Sequence, residues 1–171
     1  IMKTKIFFSL IVFFFLVLFL IFFKGLQNPN VYTPNVNIDK DVPYFQTKLL
    51  EKDKMISSDE IFKSNKFYLL NIWSSWCLPC RQEHIFLNNL SNQIEIIGLN
   101  YKDTEKNAMK FLKDFNNPYT LNLLDLEGIV AIEWGAYGVP ETFLIYNKKI
   151  IKKFIGPINN NSLLEIKKMI K

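Results

Sequence analysis

The chain has 171 residues, of which 49% are hydrophobic and 22% charged, a balance typical of a globular domain and not of a disordered or fibrous protein. Its two cysteines are too few for a disulfide framework and, with the single histidine His84, cannot complete a four-ligand zinc site. The formal charge of +5 comes from lysines, with Arg81 the only arginine, so a solvated surface is favoured over nucleic-acid binding.

The first predicted element is an apolar segment of eighteen residues, Ile6 to Phe23, which contains one hydroxyl group and no charge. As a helix it extends about 27 Å, close to the thickness of the hydrocarbon core of a bilayer. Lys3 and Lys5 precede it and only Lys24 follows closely, so the positive-inside rule keeps the start in the cytoplasm and exports the rest. The sequence therefore predicts a transmembrane signal anchor within residues 1–23.

A cleaved signal peptide is the alternative for this segment. Such peptides end in small residues of the Ala-x-Ala kind, and the exit Lys24-Gly-Leu-Gln-Asn-Pro29 lacks them, which favours an uncleaved anchor. The prolines and asparagines that follow indicate an exported tether over residues 24–42. Residues 43–171 are long enough for one domain with a single core.

Beyond the tether, strand and helix patterns alternate. We expect an edge hairpin around Tyr44 to Met55, followed by a short helix that begins at the capping box Ser57-x-x-Glu60. The near-continuous apolar run Phe67–Trp73 is typical of a strand buried on both faces. A helix over Leu78–Asn92 and a strand over Ile94–Leu99 come next.

The alternation continues to the end of the chain. In order, we expect a helix from near Thr104 to before Asn117-Pro118 with its apolar stripe in the core, a short strand near Thr120–Leu124, a helical turn ending at Gly135, a hairpin of Glu141–Tyr146 and Ile150–Ile155, and a final helix capped by Ser162-x-x-Glu165. This order predicts an α/β fold with a central mixed sheet covered by helices on both faces.

A Cys-x-x-Cys pair, Cys77 and Cys80, lies where the buried strand passes into the following helix. Free N–H groups and the positive dipole end at a helix start stabilise a thiolate, so Cys77 is predicted to ionise more readily than an ordinary thiol. The sulfur of Cys80, one turn on, can close on it. We therefore predict that Cys77 attacks a partner disulfide and that Cys80, the more buried, resolves the mixed disulfide.

Other uses of this spacing are less favoured. Haem attachment requires a histidine directly after the second cysteine, where Arg81 stands, and a metal–thiolate site lacks further ligands. We expect His84 to lie on the helix face near the site rather than to serve as a ligand or base. Trp73 is expected in the core, and Trp76 is expected to shield one side of an exposed Cys77.

Five segments extend the pattern, in order, over nearly all of residues 43–158: Leu70-Asn-Ile-Trp-Ser-Ser-Trp-Cys77, Cys80-Arg-Gln-Glu-His84, Gly98-Leu-Asn-Tyr-Lys-Asp103, Asn117-Pro-Tyr119 and Gly135-Ala-Tyr-Gly-Val-Pro-Glu-Thr-Phe-Leu-Ile145. The cysteine segment resembles the thioredoxin fold. The whole set resembles the CcmG/DsbE thiol:disulfide oxidoreductases of cytochrome c maturation. The Asn-Tyr-Lys-Asp and Tyr-Gly-Val-Pro-Glu-Thr pieces narrow the resemblance from the thioredoxin superfamily to this family.

The resemblance implies roles outside the cysteine pair. Pro140 matches the loop proline that is cis in thioredoxin folds and faces the cysteines, which lets the backbone of Val139 pair with an extended substrate. Asn71 stands where thioredoxin has a buried aspartate that helps to move protons. Glu83, about a turn beyond Cys80, is the candidate replacement: buried, it would have a raised pKa and could exchange the proton of Cys80.

The remaining polar residues of the matching segments carry weaker expectations. Glu141 is expected either to shape the partner surface or to be only a strand-end charge. Arg81 is expected to favour a nearby thiolate or an acidic partner, or else to be solvated. Lys102 and Asp103 match the family without an assigned role. No cofactor other than the redox-active disulfide, and no metal, is implied.

The resemblance implies a single-pass protein of the bacterial inner membrane with its C-terminal domain in the periplasm. It would act as a reductase that keeps the haem-attachment cysteines of apocytochrome c reduced, either free or held by a haem-lyase or thioreductase complex. A membrane thiol reductase of the DsbD or CcdA type would supply its electrons. The reduction potential is expected on the reducing side.

Three alternatives remain open on the sequence. One is a tethered reductase of the TlpA or ResA type that serves copper-site assembly or general thiol reduction. Another is a metal-carrying assembly chaperone on the same fold. That class is identified by a Cys-x-x-x-Cys motif with a distant histidine, whereas here the cysteine spacing is shorter and the one histidine, His84, is near the pair. The third is a catalytically idle interaction module.

Overall fold

The computed structural model describes residues 2–27 and 39–171, with side chains over residues 5–24 and 39–171. These ranges fall into two units, an apolar helix and an α/β unit. Most of the expected tether, residues 28–38, lies outside the described residues. Its last residues pair with the α/β unit, since the Asp39 N–H donates to the Ile150 carbonyl (2.8 Å) and the Val42 N–H donates to the Lys148 carbonyl (2.9 Å).

The apolar helix α1 spans Met2–Gln27 and so continues beyond Phe23, where the apolar run ends. Its segment Lys5–Lys24 has a mean hydropathy of 3.3, and none of that segment is buried. In the part of the chain that the structure describes, this is the one helix long and apolar enough to cross a membrane. The predicted apolar N-terminal helix is thus confirmed.

The α/β unit is built on a mixed sheet of seven strands in the order β2-β1-β5-β4-β3-β6-β7 among the described residues. The neighbouring pairs β3–β4 and β4–β5 are parallel, and the other pairs are antiparallel. The strands are β1 Gln46–Leu49, β2 Met55–Ser57, β3 Phe67–Trp73, β4 Glu95–Tyr101, β5 Leu121–Asp125, β6 Glu141–Tyr146 and β7 Lys149–Ile155.

Helices cover both faces of this sheet. The side chains of α3 (Leu78–Leu90), α4 (Glu105–Phe115) and α6 (Asn160–Met169) join the core on one face. Those of the short helices α2 (Ser58–Ile61) and α5 (Ile129–Glu133) join the core on the other. The predicted α/β fold with a mixed sheet flanked by helices is confirmed.

The central strand β3 shows why its sequence is almost wholly apolar. Leu69 and Trp73 contribute to the core on the α3 face, whereas Leu70 and Ile72 contribute to the core on the α2 and α5 face, and all four are fully buried. Because successive side chains of a strand point to opposite faces, a strand with helices on both sides needs apolar residues throughout. The exception is Asn71, which belongs to the site described below.

Gly98 in β4 permits a close ring packing beside that site. The rings of Trp73 and Tyr119 stack with centroids 5.5 Å apart. A Cβ atom at Gly98 would lie 2.8 Å from the Tyr119 ring and 2.9 Å from Nε1 of Trp73, which is closer than real side chains approach. Only glycine leaves room for both rings on this face of β4.

The two predicted capping boxes have different outcomes. The one at α2 is confirmed, since the Ser57 N–H donates to Oε1 of Glu60 (3.0 Å). The one at Ser162 is wrong: α6 begins earlier, with Asn159 as its N-cap, and Oδ1 of Asn159 accepts from the N–H groups of Asn161 (2.9 Å) and Ser162 (3.2 Å). Asn159 begins a run of three asparagines, and any of them is a suitable cap by residue type.

Candidate active site

Cys77 is the N-cap of α3, directly after the loop that leaves β3. Its Sγ accepts a hydrogen bond from the backbone N–H of Cys80 at 3.1 Å, and Pro79 occupies the first turn, where a proline costs no helical hydrogen bond. Cys77 and Cys80 form a disulfide. The sulfur of Cys77 therefore lies at the N-terminal end of a helix of thirteen residues, where the dipole favours negative charge.

Both cysteines are buried in this disulfide form. Cys80 is 1% exposed, as expected for the inner cysteine, but Cys77 is only 4% exposed, so the expectation of an exposed Cys77 is wrong here. Its sequence neighbours differ: Trp76 is 59% exposed and Leu78 is 64% exposed. The two apolar residues on either side of Cys77 in the sequence are thus open to solvent.

The Lys102-Asp103 segment, which the sequence left without a role, holds the loop before Cys77. Oδ2 of Asp103 accepts from the N–H of Ser75 (2.7 Å) and from Nδ2 of Asn100 (3.2 Å). Nε1 of Trp76 donates to the carbonyl of Lys102 at 3.1 Å. These bonds tie the β3–α3 loop to the residues that follow β4 and orient the indole of Trp76.

Arg81 is exposed, as one of its expectations had it, and it also contacts this loop. Its Nη2 donates to the carbonyl of Ser75 at 3.3 Å, and its guanidinium carbon lies 5.7 Å from the ring centroid of Phe115.

The apolar stripe predicted for α4 lies in the core at Ala108, Phe111 and Leu112. Phe115, at the end of the same helix, is 38% exposed and does not.

The peptide bond between Val139 and Pro140 is cis, as the resemblance implied. Val139 is partly buried and packs against the core cluster that contains Cys77 and Cys80. The carbonyl of Pro140 accepts from the N–H of Gly156 at 3.0 Å. The proline loop, residues 135–141, is therefore hydrogen-bonded to the end of β7 and lies against the core that holds the disulfide.

Glu83 is completely buried one turn after Cys80, in a network of neutral donors. Its Oε1 accepts from Nδ2 of Asn71 (2.9 Å), and its Oε2 accepts from the N–H of Ile158 (2.8 Å). The hydroxyl of Tyr119 donates to Oδ1 of Asn71 at 2.8 Å, and Nδ2 of Asn71 also donates to Oγ1 of Thr142 at 3.0 Å. The site thus holds a carboxyl group behind the inner cysteine with only neutral hydrogen-bond partners.

Desolvation dominates the titration of this network. Burial raises the pKa of Glu83 to about 7, although the bonds from the Ile158 N–H and the Asn71 amide act in the opposite direction. Burial and the charge on Glu83 together raise the pKa of Tyr119 well above its ordinary value. Glu83 is therefore placed to change protonation near neutral pH, while Tyr119 stays a hydroxyl donor.

Three members of this network were not predicted from the sequence: the side chains of Tyr119 and Thr142 and the backbone N–H of Ile158. Tyr119 lies in the matching Asn117-Pro-Tyr119 segment, yet nothing local indicates that its hydroxyl reaches Asn71, 48 residues earlier. Thr142 follows Glu141 in β6 and lies opposite Asn71 in the β3–β6 register. A prediction of the β3–β6 register would therefore have placed Thr142 next to Asn71.

His84 lies on the face of α3 that packs into the core. It is 2% exposed, its Nε2 lies 2.6 Å from the carbonyl oxygen of Asn116, and its ring meets that of Phe111 edge-on at 5.1 Å. Burial lowers the pKa of His84, with the Asn116 carbonyl acting against it. Among the described residues, no group of three His, Cys, Asp or Glu side chains is arranged to hold a metal ion.

Glu141 is the first residue of β6, so the expected strand-end position is confirmed, but its charge is buried and paired, with the side chain 2% exposed. The alternative expectation, that Glu141 shapes the partner surface, stays a prediction. Oε2 of Glu141 lies 2.7 Å from Nζ of Lys153, whose side chain is 3% exposed, and Oε1 accepts from the N–H of Tyr137 at 3.1 Å. Nothing in the sequence around Lys153 indicates this pairing.

A Cys-x-x-Cys disulfide at the start of the helix after the central strand, with a cis-proline loop packed on the same core, defines a thiol:disulfide oxidoreductase of the thioredoxin fold. A family model described as Redoxin matches residues 37–169. The thiol:disulfide interchange protein DsbE of Escherichia coli K12 is 41% identical over 124 residues, which cover 71% of this chain and 67% of that protein. The chain belongs to the DsbE family of thiol:disulfide interchange proteins.

Two further comparisons agree. DsbE from Pseudomonas fluorescens biotype C is 36% identical over 147 residues, which cover 85% of this chain and 82% of that one. The thioredoxin domain of a thiol-disulfide oxidoreductase from Bacteroides vulgatus superposes with a TM-score of 0.66 at 18% identity, covering 78% of this chain and 98% of that domain. At that identity the solved structure supports the fold alone.

Proposed function

We propose that this DsbE-family oxidoreductase is a membrane-anchored reductase of the bacterial periplasm that keeps the haem-attachment cysteines of apocytochrome c reduced. The observation that carries the proposal is the position of Cys77, whose sulfur caps α3 and accepts the Cys80 N–H. Membership of the DsbE family supports the cytochrome c role, and the apolar helix Lys5–Lys24 supports the anchor.

The proposed chemistry begins with the reduced dithiol. The thiolate of Cys77 attacks one sulfur of the substrate disulfide, so that a bond from Cys77 to the substrate forms as the substrate S–S bond breaks, and the departing sulfur takes up a proton. Cys80, as a thiolate, then attacks Sγ of Cys77. The Cys77–Cys80 disulfide forms, the second substrate thiol is released, and two electrons have passed to the substrate.

Glu83 is the proposed proton acceptor for Cys80. It is one turn away on the same helix, and a pKa of about 7 lets it take up or release a proton near neutral pH. Its bonds to Asn71 and Ile158 hold the carboxyl group in place and favour its charged form, whereas burial favours the neutral form. This arrangement gives the chain a proton acceptor although thioredoxin's aspartate position is occupied by Asn71.

The partner is proposed to bind across the exposed side chains of Trp76 and Leu78 and to pair its extended backbone with Val139. The substrate is apocytochrome c, free or held by its haem-lyase or thioreductase complex. A membrane thiol reductase of the DsbD or CcdA type returns the Cys77–Cys80 disulfide to the dithiol.

Loss of Cys77 tests the cytochrome c role in cells. In a host without a paralogue, Cys77→Ser is expected to abolish covalent haem in c-type cytochromes, because no other cysteine can start the exchange; haem-stained gels of membrane fractions measure it. Exogenous reductant is expected to restore part of the signal. Unchanged c-type cytochrome levels would rule the proposal out.

Trapping names the client. Cys80→Ser is expected to stall the mixed disulfide on Cys77, and mass spectrometry of the adduct should identify apocytochrome c or a component of the complex that holds it. The matched control is the double variant Cys77→Ser/Cys80→Ser, which has no sulfur with which to trap. A copper-site protein as the trapped client would replace the cytochrome c role with the TlpA or ResA type of function.

A further inference from the structure

Lys153 is a buried cation that the exchange chemistry does not use. Its Nζ lies 2.7 Å from Oε2 of Glu141 and donates to the carbonyl of Gly135 at 2.8 Å. The same nitrogen lies 4.0 Å from the ring centroid of Tyr137 and 5.3 Å from that of Phe143. With side-chain exposures of 3% for Lys153 and 2% for Glu141, the pair is shielded from water.

These contacts enclose one short segment, residues 135–141. Lys153 binds its first carbonyl, at Gly135, and its last side chain, at Glu141, while Oε1 of Glu141 accepts from the N–H of Tyr137. The cis peptide bond between Val139 and Pro140 lies within this segment. One ammonium group therefore joins both ends of the loop that presents the backbone of Val139.

The register of the last hairpin turns Lys153 inward. Lys153 lies opposite Phe143 in the β6–β7 pairing, and a register shift occurs between Leu144 and Ile145. Its neighbour Lys152 instead pairs with Glu165 at 2.8 Å, with 38% of the Lys152 side chain exposed. Of two adjacent lysines, one is a surface charge and the other is held beneath the proline loop.

We propose that Lys153 is a positioning residue for substrate binding: it fixes the 135–141 loop so that the backbone of Val139 can pair with an extended peptide at the disulfide. The inference rests on the proposed roles of Cys77 and Val139. It separates two kinds of substrate, because a peptide needs the loop, whereas a small disulfide needs only the sulfur of Cys77. Among the described residues, the hydrogen bond, ion pair and ring contacts of Lys153 involve Gly135, Glu141, Tyr137 and Phe143 and neither cysteine, so the thiol chemistry itself is not expected to depend on it.

Lys153→Met tests this in the reduced full chain, purified in detergent. One substrate is a synthetic peptide with a disulfide within a Cys-x-x-Cys-His sequence, and the other is hydroxyethyl disulfide. We expect the rate with the peptide to fall by about tenfold or more while the rate with hydroxyethyl disulfide stays within about twofold, since a displaced binding group penalises only the substrate that it positions. Lys152→Met is the matched control, with both rates unchanged, and Lys153→Arg is expected to recover part of the peptide rate.

The double variant Glu141→Gln/Lys153→Met covers the case in which the single variant does not fold, because it leaves no unpaired buried charge, and the same selective loss is expected. Equal losses on both substrates, or no loss on either, would overturn the proposal. If the wild-type chain reduces hydroxyethyl disulfide but not the peptide, the proposed function fails, and the role of Lys153 fails with it. A wild type that reduces both, with variants that lack selectivity, refutes only the role of Lys153.

Discussion

Glu83→Gln is expected to remove the contribution of Glu83 to the pH dependence of stability, which lowers the free energy of unfolding of the oxidised protein by about 3 kcal/mol as the pH rises from about 4.5 to 7. The folded chain holds the Glu83 proton up to a pKa of about 7, against an ordinary value of 4.5. Between these values the unfolded chain binds fewer protons than the folded one, so stability falls with pH. Below pH 4.5 the protonated Glu83 makes its full contribution to the free energy of unfolding, and above about pH 7 that contribution is lost and no longer changes with pH.

Denaturant unfolding of the full chain in detergent, followed by tryptophan fluorescence, measures this prediction. The three tryptophans all belong to the α/β unit, so the signal reports that unit and not α1. His84 acts in the opposite sense, because burial lowers its pKa and stability then rises with pH. That effect is common to both proteins, so their difference isolates Glu83.

Glu127→Gln is the matched control, since Glu127 is exposed, and the pH profile of its stability is expected to follow that of the wild type.

The Glu83→Gln variant also tests the exchange reaction. In the wild type, the release of a trapped substrate by Cys80 is expected to change rate around pH 7, where Glu83 becomes a proton acceptor, and the variant should lack that inflection. A Glu83→Gln protein that keeps the wild-type fall in stability would contradict the assignment of the raised pKa.

Breaking the Lys153–Glu141 pair from one side is expected to lower the free energy of unfolding by about 3 to 5 kcal/mol in Lys153→Met. The loss arises because the carboxyl group of Glu141, 2% exposed, is left buried without its counter-ion. Removing both charges in Glu141→Gln/Lys153→Met is expected to recover most of it. The amide can still accept from Tyr137, and no ion remains buried without a partner.

Measuring Glu141→Gln alone in the same unfolding assay at pH 7 completes the double-mutant cycle. Lys152→Met, whose surface pair with Glu165 is worth little, is expected to change stability by less than about 1 kcal/mol. A double variant as unstable as the sum of the two single variants would mean that the pair is not coupled. Such a result would remove the energetic basis for a loop held by Lys153.

The strongest sequence signals were those in which local chemistry and burial agree. The bounds of β3 were predicted correctly because a strand covered on both faces has to be apolar from Phe67 to Trp73. The position of the cysteines at a helix start followed from the strand and helix patterns around them. The cis bond before Pro140 came from the family resemblance, because a proline alone does not reveal its isomer.

What the sequence could not show depends on pairings between distant residues. Lys152 and Lys153 are chemically identical neighbours, and only the shifted register of β6 and β7 sends one of them beneath the proline loop. The Tyr119 hydroxyl meets Asn71 because β5 and β3 are brought together through β4. The pairing of Glu141 with Lys153, twelve residues on, was not predicted because the two side chains meet only in the folded sheet.

The alkylation rate of Cys77 as a function of pH tests most directly whether the helix start makes this sulfur a nucleophile. The full-length Cys80→Ser protein, reduced and in detergent, leaves Cys77 as the one thiol, and iodoacetamide modification is followed by mass spectrometry. Because the thiolate is stabilised by the end of α3, the midpoint is expected at least about one pH unit below that of the same chain unfolded in denaturant. Identical midpoints in the folded and unfolded chain would contradict a nucleophile activated by its position.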